Sequence, residues 1–246
     1  MREICKLAAT TLLIAVAACS SNPRKASGEQ SISDIYLRKG IEYMNSGMLD
    51  VALQDLKHAV ELDDNNGDAH DALAVLHQRL NQPGEAEREF QKALSLNKGS
   101  SSTANNYGQF LCNQGQYEKA MLQFETVISS KLYPSPWIPL TNAGLCARKS
   151  GRRSEAENYL RKALELNSTF PPALLEMANI SFESGQFMSA RAFVQRYEEV
   201  APADSNIMLL GIQVEQALGN EQGASDYRNK LRAQFPEERA PQSLGH

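Results

Sequence analysis

Histidine, cysteine and paired acids are the side chains of this 246-residue sequence that could carry chemistry. His70 and His77 lie seven residues apart, which puts both imidazoles on one face if the segment is helical. Two such ligands could begin a metal site, which needs more donors than these two. The blander reading, core or groove-lining histidines, accounts for both. Asp63-Asp64 and Glu198-Glu199 would suit acid–base work only inside a cleft. Both fall near expected helix ends, where solvated charge is normal. No HExxH, GxSxG, CxxC or phosphate-cradling glycine loop occurs. No catalytic residue, metal-ligand set, cofactor or small-molecule substrate is assigned, and an enzyme is not expected. The cysteines remain: Cys5, Cys19, Cys112 and Cys146.

The chain that must position these residues carries 25 Lys+Arg against 29 Asp+Glu, a net charge of −4. A nucleic-acid partner would need a basic surface, so none is expected. Aromatics are only 7% of the sequence, and Ala, Leu, Glu, Gln and Asn predominate, which favours helix over strand.

The N-terminus reads as an address. Arg2 and Lys6 precede an apolar run from Leu7 to Ala17, too short to span a bilayer. The run ends Val16-Ala17-Ala18-Cys19, which resembles the bacterial lipobox, with Val where Leu is commoner. The resemblance implies that residues 1–18 are a lipoprotein signal peptide and that Cys19 is acylated. Ser20, in place of an Asp that would favour inner-membrane retention, implies an outer-membrane, periplasm-facing lipoprotein. Stable anchoring takes two or more acyl chains. Residues 19–32 then comprise the acylated Cys and a polar, Ser-rich tether with a reach of about 20 Å.

Beyond the tether the sequence repeats. Gly40, Ala74, Gly108, Gly144, Ala178 and Ile212 are spaced 34, 34, 36, 34 and 34 apart. Twelve residues after each stands an alanine: Ala52, Ala86, Ala120, Ala156, Ala190 and Ala224. A turn-former lies between them in every period: Gly47, Asn81, Gly115, Gly151, Gly185 and Gly219. A small residue at a fixed place implies close helix–helix approach; a Gly or Asn between amphipathic stretches implies a helix C-cap and tight turn. The pattern, with Tyr36, Tyr43, Phe90, Phe124 and Leu160 at packing positions, resembles the tetratricopeptide repeat, a 34-residue helix–turn–helix. The expected fold is all-α: a right-handed superhelical solenoid of six repeats at 33–66, 67–100, 101–134, 137–170, 171–204 and 205–238, followed by a disordered tail at 239–246. Stacking buries the face that one repeat alone cannot. Glu215 and Arg228 fall at core positions of the sixth repeat, as for a solvent-facing cap. The spacing of 36 falls at Lys131 to Pro139, whose prolines predict a bent connection, with Trp137 opening repeat four. Trp137 either packs on the preceding helix or marks a contact surface.

Cys112 and Cys146 fall on consecutive first helices of such a stack. In an oxidising compartment they are expected to pair, tying repeat three to repeat four; the alternative is two buried thiols. First helices of such solenoids line a concave groove. Repeat one would offer Leu37, Ile41 and Met44 to it, and repeat two Val75, so the groove should begin apolar and turn polar. A flanking N-terminal segment could cover that face instead. Asn106 and Asn142 resemble the asparagines with which other tetratricopeptide proteins hold peptide backbone.

The lipobox, the repeats, the Cys pair, and the phrases DIYLRKGIEYMNSGMLDVALQDLKHAVELD and NNYGQFLCNQGQYEKAMLQFE resemble the type IV pilus biogenesis lipoproteins of the PilF/PilW family over nearly the whole chain. That resemblance implies a pilotin, which binds outer-membrane secretin subunits and promotes their localisation and oligomerisation. The competing expectation is a lipoprotein scaffold for peptidoglycan enzymes or another envelope complex, which shares the architecture.

Overall fold

The computed structural model describes residues 31–131, 133–202 and 204–236. The signal peptide, Cys19 and tail expected from the sequence lie outside the described residues, as does the tether up to residue 30.

Among the described residues there are twelve helices and no strand. They run α1 Ile32–Asn45, α2 Leu49–Leu62, α3 Gly67–Arg79, α4 Pro83–Leu96, α5 Ser101–Asn113, α6 Tyr117–Ile128, α7 Trp137–Lys149, α8 Arg153–Leu166, α9 Pro171–Glu183, α10 Phe187–Val200, α11 Ser205–Ala217 and α12 Glu221–Gln234. None is long and apolar enough to cross a membrane.

The helices pair because the turn inside each repeat is chemically specified. The chain leaves α3 through Asn81 at φ 55°, and Gln82 N–H reaches back to the His77 carbonyl at 2.9 Å. Asparagine tolerates this left-handed position, and the long back-bond satisfies a carbonyl orphaned at the helix end. In repeat three Gly115 holds the same place at φ 73°. Helix starts are capped in turn: Asn66 Oδ1 accepts from Ala69 N–H at 3.1 Å, and Asp204 Oδ1 from Asn206 N–H at 2.7 Å.

Packing within a repeat rests on small residues. All six repeat alanines of the second helices are fully buried. Opposite them the first helix comes so close that a Cβ on Gly108 would stand 2.7 Å from the Phe124 ring. Each second helix lies on its own first helix and, for every one before α12, on the next first helix as well. Consecutive first helices lie close along their backbones, whereas consecutive second helices stand farther apart and meet through long side chains, as where Tyr227 and Lys230 of α12 reach Glu198 of α10. The first helices therefore form the inner lining of the superhelix, and the core runs continuously between the two layers.

Three expectations change. The sixth close approach is made by Gly211 against Tyr227, where a Cβ would meet the ring at 2.8 Å. Ile212, picked out by counting 34, is instead a buried core residue. Glu215 does not face solvent: it is buried, pairs with the Arg191 guanidinium and accepts from Asn220 Nδ2 at 2.6 Å. Arg228 is half-buried. Finally, Pro139 lies inside α7, in its first turn. Amides there have no carbonyl partner within the helix, so its missing N–H costs nothing. The connection from Ser129 to Pro136 carries the two extra residues, and Trp137 opens α7, packed with Ile128 on the core of repeats four and five.

Candidate functional groove

α1, α3 and α5 enclose a hollow of about 470 Å³ on the inner face, at the N-terminal end of the stack. Leu37, Ile41 and Met44 enter from α1, Asp68, Asp71, Ala72 and Val75 from α3, and Ser102 and Asn106 from α5. The heptad-like spacing of Leu37, Ile41 and Met44 puts them on one side of α1, and the 34-residue stack brings the matching turn of α3 beside them.

Their exposure is unequal, which corrects the expectation of three open apolar side chains. Ile41 is 36% exposed, while Leu37 at 9% and Met44 at 6% are tucked against Leu73 and Leu76 in the core of repeats one and two. α3 lies close enough to α1 to cover them, so only their edges reach the hollow. Arg79 fixes that approach by donating to the Met44 carbonyl at 2.9 Å. Val75 is half-buried at the same wall.

The polar residues are mixed into this apolar wall. Asn106 Nδ2 donates to Asp71 Oδ2 at 2.9 Å, and Asn97 Nδ2 to Asp68 Oδ1 at 2.7 Å. The second oxygen of Asp71 is buried with no donor. Burial, reinforced by the like charge of Asp68, pushes the Asp71 carboxyl up to about 6, although the Asn106 bond works the other way. Apolar and acidic character thus share one hollow, rather than following one another along the stack. Both acids stand at concave positions of repeat two. The repeat pattern puts both on the groove side of repeat two; only stacking sets them against Leu37 and Ile41.

Asn142 belongs elsewhere. It lines a smaller hollow of about 130 Å³ with Gln109, Cys112 and Leu145, and its Nδ2 donates to Asn105 Oδ1 at 2.8 Å. The amide donors of Asn106 and Asn142 are thus both engaged by the preceding first helix. A disulfide joins Cys112 and Cys146 between α5 and α7, with Cα atoms 5.7 Å apart, inside the core around Phe110 and Phe124.

The histidines are occupied in packing. His70 is buried with Nδ1 2.5 Å from Glu89 and Nε2 3.1 Å from the Asp64 carbonyl. His77 Nδ1 lies 2.6 Å from Gln82 Oε1, across the turn into α4. The two rings share no ligand. Among the described residues no group of three or more His, Cys, Asp or Glu could hold a metal ion.

Comparison with known proteins places this geometry. The tetratricopeptide repeat family matches at residues 33–66 and 67–99, again at 89–121, and at 147–211. The chain is 30% identical over 231 residues to type IV pilus assembly protein PilF of Pseudomonas aeruginosa, covering 94% of this chain and 92% of that one. The crystal structure of PilW, described as a widely conserved type IV pilus biogenesis factor, superposes with a TM-score of 0.78 at 31% identity, covering 86% of this chain and 97% of PilW. The structure of Pseudomonas aeruginosa PilF gives a TM-score of 0.72 at 30% identity, covering 84% and 93%.

Proposed function

Because this chain belongs to the family of the type IV pilus biogenesis proteins PilF and PilW, with which it shares sequence and fold over nearly its whole length, we propose that it is a pilotin: a lipid-anchored, non-enzymatic binding protein that captures secretin subunits and promotes their assembly at the outer membrane. The full-length likeness is the observation that carries this reading. A shared repeat alone would support only a peptide-binding scaffold.

The physical scheme uses two signals in one chain. Acyl chains on Cys19 supply membrane affinity, at about 0.8 kcal/mol per buried methylene. The groove bounded by Ile41 and Val75 supplies the capture face, because apolar surface on the inner side of a stack is where an extended or helical segment can lie.

The test is co-purification from gently extracted membranes with the tagged protein as bait. A secretin should dominate the bound fraction and be lost with Ile41→Asp. That substitution places a charge on an exposed edge and should leave the melting temperature within a few degrees. Leu37→Asp is unsuitable, because it would bury a charge in the core. Cys19→Ala should leave secretin rings at the wrong membrane or unassembled. Cell-wall synthases or hydrolases in place of secretin, or normal outer-membrane rings in the Cys19 variant, would refute the pilotin reading.

A further inference from the structure

The groove holds a negative charge without a counter-charge. Asp71 presents its carboxylate among Leu37, Ile41, Ala72 and Val75. A carboxylate can accept about four hydrogen bonds. This one has a single donor from Asn106, and its other oxygen is enclosed with none. Asp68 adds a second negative charge one turn away. Among the described residues, no lysine or arginine lines the hollow.

That arrangement constrains what can lie there. An apolar segment laid over Asp71 would strip water from a charge with one hydrogen bond and return nothing for it. An acidic segment would add repulsion. A segment that sets a cation among aliphatic side chains satisfies both the wall and the charge, and an ion pair formed out of water is stronger and more selective than one at the surface.

We propose that Asp71 sets the specificity of this groove by selecting a peptide segment in which one lysine or arginine stands among aliphatic side chains, and by rejecting segments that are apolar throughout or acidic. The raised Asp71 carboxyl agrees with a charge left under-compensated until such a partner arrives. The inference rests on the preceding section only in treating this face as a peptide-capture surface, and does not require the peptide to come from a secretin.

The probe is a displayed library of random twelve-residue peptides, selected on the purified full-length chain. Enriched peptides should carry Lys or Arg flanked by Leu, Ile or Val. Changing that basic residue to Gln should weaken binding to the parent chain by about tenfold, and to Asp71→Asn by less than about twofold. Asp71→Asn keeps the shape of the side chain and an oxygen for Asn106, and thermal melts check that it folds. Asp68→Asn, at the same hollow but bonded to Asn97, should retain most of the discrimination. Selected peptides without a basic residue, or an equal loss on Asp71→Asn, would overturn the proposal. So would an absence of selected peptides together with a dimer that Ile41→Asp dissolves, which would make a second copy the occupant. Failure to find a secretin in membrane extracts would refute the pilotin reading and leave this result standing.

Discussion

Asp71, proposed above to select the bound segment, weakens the fold. Its carboxyl sits near 6 in the folded chain, against an ordinary value near 3.8, so the folded state holds a proton that the unfolded chain has released. An acid with a raised folded value costs nothing below about pH 3, where both states are protonated. It destabilises progressively as pH rises to about 6, and the full deficit persists above. Asp71→Asn should therefore raise stability by about 1–3 kcal/mol at pH 7.5 and by almost nothing at about pH 3, read from urea melts at the two values. The groups around the carboxyl are few: Asp68 on its own helix and Asn106 from α5. The sequence located the residues of this wall but not their roles. Leu37 and Met44 occupy positions that are open on a lone repeat, and the neighbouring first helix covers them. Asp71 stands at an equally ordinary surface position, and its character comes from an apolar hollow completed by Leu37, Ile41 and Met44 of the preceding repeat.

A helix pair in this stack is set by volume. The ring of Phe124 lies where a side chain on Gly108 would have to go, and an aromatic ring cannot bend out of the way. Gly108→Ala should cost about 1–3 kcal/mol in a urea melt, despite the better helix propensity of alanine, because the two helices must move apart. An unchanged or higher stability would mean that the repeat absorbs the methyl group by rotation. The same logic explains where periodicity was a good guide. The six alanines and the six turn residues were visible because each answers to a local requirement recurring every repeat. The last close approach was not visible. Helix starts keep the 34-residue phase there, but the ring facing α11 belongs to Tyr227, and the glycine that accommodates it is Gly211. Counting preserves the ends of helices; packing chooses which side chain faces which. Pro139 escaped for a related reason, since its place in the first turn depends on where α7 begins.

The whole molecule is a row of units that meet only their neighbours, so its stability is a sum of repeats and seams. The Cys112–Cys146 bridge crosses one seam and closes a loop of 34 residues. Replacing both cysteines by alanine should lower stability by about 3–4 kcal/mol in the chain-entropy account. Urea unfolding with and without reductant would check this: the parent chain should lose a similar amount on reduction and the double variant should not respond. Two thiols alkylated without reductant would show that the bridge is absent in solution. The contact topology has a further consequence. First helices lie close along the inner edge, whereas second helices stand farther apart and are bridged by side chains such as Glu198 with Tyr227 and Lys230. The Cys112–Cys146 bridge is thus a covalent weld on the closely packed inner edge, between the third and fourth repeats.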